Sequence, residues 1–130
     1  MTELKQIYKC EVCGNIVEVL HTGVGTLVCC GKNMILQKEN SEGEYAEKHA
    51  PVIEKNKEGA SINIGKVNHP MEEKHFIEWI EIIGENKKDY GRKFLKPGEK
   101  PHANFPIKSK ITKVRMYCNV HGLWITDKSE

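Results

Sequence analysis

Four of the chain's five cysteines lie between positions 10 and 30, as Cys10-Glu11-Val12-Cys13 and the adjacent pair Cys29-Cys30. The run Glu39-Asn40-Ser41-Glu42-Gly43-Glu44 is polar and has no hydrophobic period, so it reads as a linker. The cysteines then belong to a module of residues 1–38, and residues 39–130 form a second unit. A chain below about 40 residues buries too little surface to stabilise itself and needs a metal or disulfides. The cysteines therefore have a structural task in the first module whatever else they do.

Compartment bears on which of the two they supply. The start of the chain, Met1-Thr2-Glu3-Leu4-Lys5, has neither the apolar stretch nor the small-residue cleavage site of a secretory signal. No apolar run approaches the roughly 20 residues that span a bilayer. The charged fraction is 29% and the mean hydropathy −0.55. The expectation is a cytoplasmic protein, and there clustered cysteines are metal ligands more often than disulfides. Two thiolates spaced as in Cys10-x-x-Cys13 can grip one ion because the chain turns tightly between them. Four thiolates make a tetrahedral sulfur site suited to zinc or iron, and spacing alone does not choose between the two. A zinc ribbon would repeat the Cys-x-x-Cys spacing. The adjacent cysteines depart from that, and neighbouring residues cannot both face one ion without strain.

The second unit reads as β-rich. Residues 60–65 alternate apolar and polar, and residues 75–83 are rich in β-branched and aromatic side chains. Ile107, Ser109 and Ile111 alternate with lysines. Val114, Met116 and Cys118 then continue on even positions, which implies a bulge near Thr112. Gly84, Gly91, Pro97-Gly98, Pro101 and Pro106 punctuate the intervals. No segment shows a convincing helical period, and several short strands with turn signals suggest a sandwich.

Histidines concentrate in this unit, as His49, His69, His75 and His121, and His49, His69 and His121 each lie within two residues of a proline or glycine. His69-Pro70-Met71-Glu72-Glu73-Lys74-His75 places two of them six apart. Cys118-Asn119-Val120-His121-Gly122 would be a strand end followed by a turn that brings His121 back toward the sulfur. Together the five side chains are candidates to converge on one metal. A blue-copper site would use two histidines, one cysteine and a methionine soon after the last histidine. No methionine follows His121, and copper leaves the extra histidines unexplained. His21 and His102 receive no role.

In this order the motifs resemble the desulfoferrodoxin family, the two-iron form of superoxide reductase. Cys10-x-x-Cys13 with Cys29-Cys30 resembles its desulforedoxin-like module. Glu47-Lys48-His49-Ala50-Pro51, His69-Pro70-Met71-x-x-x-His75 and Cys118-Asn119-x-His121-Gly122 resemble the three segments of its catalytic domain. The resemblance implies an Fe(Cys)₄ centre on Cys10, Cys13, Cys29 and Cys30. It implies a second iron on His49, His69 and His75 through Nε, His121 through Nδ, and Cys118. It implies a mainly β fold, a small metal module followed by an immunoglobulin-like β-sandwich. The implied reaction is one-electron reduction of superoxide to hydrogen peroxide. By resemblance, Glu47 would be a sixth ligand to the oxidised iron and Lys48 would attract the anion and organise protons. A rubredoxin-like electron donor and a homodimer are also implied.

The net charge is +2, which is no nucleic-acid signature. Residues 85–115 nevertheless carry ten Lys or Arg against three acids. This reads as a solvated lysine-rich face, or as a surface for a small anion or an acidic partner.

Overall fold

The computed structural model describes residues 1–43, 45–65, 69–85 and 89–126, with Glu47 described by its backbone alone. The chain divides into two compact units, Met1–Lys38 and Glu39–Glu130.

In the first unit, β1 (Ile7–Lys9) lies between β2 (Ile16–Glu18) and β5 (Ile35–Leu36), antiparallel to both. β3 (Val28–Cys29) and β4 (Lys32–Asn33) form a separate hairpin. Ile7, Cys10, Val19 and Met34 are its buried apolar side chains. So small a core leaves cross-linking by the cysteines as the main source of rigidity. In the β3–β4 hairpin, Cys29 pairs with Lys32 across a two-residue turn, Cys30-Gly31. Both turn residues have positive φ, 54° and 73°, as a type I′ hairpin requires. The strain expected of adjacent cysteines is thus taken up by the backbone. Cys29 closes the strand, and Cys30 sits in the left-handed region that a side-chain-bearing residue rarely adopts.

The second unit is a β-sandwich. One sheet has the order β10 (Tyr90–Phe94), β9 (Ile77–Gly84), β12 (Ile111–Cys118), β13 (Gly122–Thr126), β6 (Glu39–Asn40). The other runs β11 (His102–Phe105), β8 (Gly59–Ile64), β7 (Pro51–Asn56). The alternation read in residues 60–65 is the reason β8 works. Ala60, Ile62 and Ile64 enter the core and meet Ile80, Ile82, Val114, Met116 and Trp124 from the facing sheet. Among the described residues the α-helix α1 (Ala46–His49) is a single turn.

The pairing of β12 with β9 shifts register between Ile111 and Lys113, so the bulge expected near Thr112 is present. A second shift lies between Tyr117 and Cys118, which pair with Trp79 and Ile77 and so skip Glu78. It moves Ile77 onto the same face as Ile80 and Ile82, beside Cys118. Two expectations are revised. Residues 107–110 are not strand; the ladder begins at Ile111, after the segment opened by Pro106. Glu39 and Asn40 are not linker but a short parallel edge strand against Leu123 and Trp124. Glu39 is held there by Lys113 (2.7 Å) and Arg115 (3.0 Å).

On the face of the five-stranded sheet away from the core, Glu81 is fully buried. Its carboxylate accepts hydrogen bonds from Trp79 Nε1 (2.7 Å), Arg92 (3.0 Å) and Arg115 (2.7 Å). A buried carboxylate is tolerated only when its lone pairs are met in this way.

Candidate metal centres

The four clustered cysteines converge. Their sulfurs lie within 4.8 Å of one another, and none forms a disulfide. Cys13 Sγ and Cys29 Sγ are 3.6 Å apart, and Cys29 Sγ and Cys30 Sγ 3.9 Å. Four thiolates around one ion with bonds of about 2.3 Å stand about 3.8 Å apart, so the spacing suits a tetrahedral centre. The Cys13 backbone N–H, 3.5 Å from Cys10 Sγ, holds the Cys10 thiol down to about 6. Hydrogen bonding to Cys13 and Cys29 holds Cys30 up to about 12, and Cys29 is also raised. Crowded sulfurs resist ionising together unless a cation lies among them, which is the condition of a metal site.

In the second unit the donor atoms of His49, His69, His75, Cys118 and His121 also lie within 4.8 Å of one another. Each arrives for a local reason. His49 ends the α1 turn. Pro51 forces Ala50 out of the helical region to φ −70°, ψ 123°, so the chain is extended at Ala50 rather than at His49 itself. His69 precedes Pro70, whose carbonyl it bonds. His75 closes a tight turn through paired backbone hydrogen bonds with Glu72 (2.9 and 3.1 Å). Cys118 is the last residue of β12, and His121 lies in the turn before β13.

Proton placement argues for a cation here. His49 Nδ1 is 2.7 Å from the Tyr45 carbonyl and His69 Nδ1 2.6 Å from the Pro70 carbonyl. A carbonyl only accepts, so each Nδ1 carries the proton and each neutral Nε2 presents a lone pair. Those two Nε2 atoms are 2.9 Å apart, and His121 Nδ1 is 3.2 Å from His49 Nε2. The two Nε2 lone pairs of His49 and His69, facing each other at 2.9 Å, repel unless a positive charge sits between them. Donors at right angles around an ion with bonds of about 2.1 Å stand about 3.0 Å apart. His75 Nε2 is a buried polar atom with no hydrogen-bond partner, a further vacancy for a metal bond. Burial lowers the pKa of His49 and His69, the latter to about 4, and burial with the charges of His75 and Lys48 lowers that of His121. Neutral imidazoles are what a metal requires. Cys118 is raised by burial, against backbone hydrogen bonds from His121 (N–H to Sγ, 3.4 Å) and Val120. Its thiolate would need the ion to exist near neutral pH. The carbonyl bonds to Nδ1 are the outer contacts that orient ligating histidines.

Lys48 is exposed on the α1 turn, next to His49. Glu47 lies in the same turn, and its side chain falls outside the described residues. His102 is not among the clustered donors, and its ring bonds Asn63 (2.8 Å). Three residues at this site were not singled out from sequence. Trp124 stacks on His49 (4.8 Å, 16°) and donates to the His121 carbonyl (3.1 Å). Tyr45 stacks on His121 (4.0 Å, 28°). Asn119 links two ligand-bearing turns: its Oδ1 accepts the Phe76 N–H (2.9 Å) and its Nδ2 donates to the Lys74 carbonyl (3.1 Å). An Asn inside a Cys-x-x-His turn was the available signal for the last. Nothing near Tyr45 in the sequence marked it.

Both donor sets suit iron, one with four cysteines and one with four histidines and a cysteine. Residues 41–127 match the family described as desulfoferrodoxin, and residues 2–36 its N-terminal domain. The desulfoferrodoxin of Syntrophotalea carbinolica is 58% identical over 127 residues, covering 98% of this chain and 99% of that one. Among solved structures, a superoxide reductase from Treponema pallidum superposes with a TM-score of 0.74, covering 93% of this chain and 95% of that one at 20% identity. A superoxide reductase from Nanoarchaeum equitans gives 0.52 at 36% identity, covering 67% and 96%. With both units matched, in chain order and over nearly its whole length, the chain belongs to the desulfoferrodoxin family.

Proposed function

We propose that the protein is a superoxide reductase, an oxidoreductase that converts superoxide to hydrogen peroxide. The observation that carries this is the convergence of four imidazoles and one buried thiol in the second unit. A 36%-identical structure named superoxide reductase supports it. Bound as ferrous ion at that site, iron would supply the single electron; superoxide takes up that electron and two protons to leave as hydrogen peroxide. The protein's own side chains do the rest. His49, His69, His75 and His121 hold the ion, and the carbonyls of Tyr45 and Pro70 keep two of their rings turned toward it. Cys118, 0% exposed, keeps its sulfur dry, where electron donation from thiolate to metal is strongest.

Lys48 draws the anion in and organises its protons. Its exposed ammonium lies close enough for its charge to act on His49 and His121. Glu47 is our choice for a sixth ligand to the oxidised ion. Cys10, Cys13, Cys29 and Cys30 form a centre that mainly supports the first unit. Residues 1–38 are then a desulforedoxin-like module and residues 39–130 the reductase domain. A rubredoxin-like protein would return the spent electron. We further propose a homodimer acting in the cytoplasm; no helix among the described residues is long and apolar enough to cross a membrane.

The test is Lys48→Ala, with pulse-generated superoxide and the second-order rate followed against ionic strength. The variant should be slower at low salt, and the gap should close as salt screens the parent's advantage. Rates equal to the parent's at every ionic strength would remove Lys48 from the reaction. A parent protein with both irons bound that leaves superoxide untouched would remove the function.

A further inference from the structure

The ligand histidines are not tethered alike. His49 and His69 present Nε2 to the site and keep Nδ1 free to donate to a carbonyl, at 2.7 and 2.6 Å. His121 instead presents Nδ1, which lies 3.2 Å from His49 Nε2 and 3.8 Å from Cys118 Sγ. It thereby gives up the Nδ1 anchor that those two rings use. It is also less buried than His49 or His69. Something else must set its plane: His49 and His75 meet it edge-on, and among the described residues one ring stacks on its face. Tyr45 stacks on His121 with centroids 4.0 Å apart and planes 28° apart. Tyr45 itself is 43% exposed, so the contact is no by-product of core packing. The same residue's carbonyl receives the His49 Nδ1–H, and its ring meets His49 edge-on at 6.1 Å.

We propose that Tyr45 is a positioning residue of the histidine–cysteine iron site. Its ring fixes the imidazole plane of His121 and its carbonyl fixes that of His49, replacing by stacking the anchor His121 lacks. The residue touches neither substrate nor ion. Loss of iron requires a ligand ring to swing away, and the stacked phenol opposes that swing for His121. The ring, not the hydroxyl, does this, so phenylalanine should serve and an aliphatic side chain of similar bulk should not. The proposal rests on iron being held at this site and not on superoxide chemistry. A two-iron protein inert to superoxide would end the proposed function and leave this test intact.

Tyr45→Phe and Tyr45→Leu, loaded with both irons and reduced, are mixed with a ferrous chelator, and iron release is followed in time. The iron on Cys10, Cys13, Cys29 and Cys30 is the internal reference. Tyr45→Leu should release second-site iron about two- to tenfold faster, the range set by aromatic pairs of this geometry. Tyr45→Phe should match the parent, and the reference iron should leave at the parent rate in both. The sulfur-to-iron absorption band of the oxidised second site should move in Tyr45→Leu and stay in Tyr45→Phe. Parent-like release from Tyr45→Leu, equal acceleration in Tyr45→Phe, or acceleration at both sites would each overturn the proposal.

Discussion

Removing the Asn119 side chain separates the two turns that carry His75 on one side and Cys118 with His121 on the other. In Asn119→Ala the bonds to the Phe76 N–H (2.9 Å) and the Lys74 carbonyl (3.1 Å) are lost, while the backbone bond from Asn119 N–H to the Phe76 carbonyl (3.2 Å) survives. Each lost bond is worth about 1 kcal/mol net, so the expected cost is about 2 kcal/mol. The Phe76 N–H, half-buried, is the more costly group to leave unmet. For a unit the size of Glu39–Glu130, 1 kcal/mol moves the melting point by about 4–8 °C, so the shift should be roughly 8–16 °C. Asn119→Asp keeps the acceptor for Phe76 and loses the donor to Lys74, so it should fall about halfway. The assay is thermal unfolding of the iron-loaded protein by far-ultraviolet circular dichroism, with the second-site absorption band followed in parallel. A shift below about 2 °C for Asn119→Ala would refute the clamp. So would Asn119→Asp proving worse than alanine.

Further outcomes follow from other parts of the second unit. Glu81→Ala leaves Arg115, 1% exposed, short of one carboxylate partner and should cost on the order of 3 kcal/mol by denaturant titration; an unchanged midpoint would contradict this. Gly59→Ala should cost roughly 2–3 kcal/mol, because a Cβ there would clash with the Phe105 carbonyl oxygen, with φ at 145°. A variant as stable as the parent would show that the β7–β8 turn yields. In metal-free protein, His69 titrates near 4 when folded and near 6.5 when unfolded, chiefly through burial. As pH falls through that window the unfolded chain takes up the proton first, so stability present above about 6.5 is lost toward 4. Urea midpoints at pH 7 and pH 5 should differ in that direction, and His69→Gln should narrow the gap; equal parent midpoints would contradict it.

The candidate donors that the fold brings together were legible in the sequence, because metal chemistry limits donors to a few residue types. Cys10, Cys13, Cys29 and Cys30 stood out by spacing, and His49, His69, His75, Cys118 and His121 by their neighbours and motif order. The strand pattern of residues 60–64 and the bulge near Thr112 were legible because side-chain alternation reports burial directly. Tertiary structure alone decided the contacts that join distant segments. The approach of Tyr45 to His121, the bridge from Asn119 to Phe76 and the pairing of Glu39 with Arg115 span 43 to 76 positions. No local period encodes such a meeting, since it depends on which strands the sheet sets side by side. The same holds for the facing lone pairs of His49 and His69. A sequence can name two imidazoles, but only the folded chain brings their Nε2 atoms to 2.9 Å, the spacing of two donors on one ion.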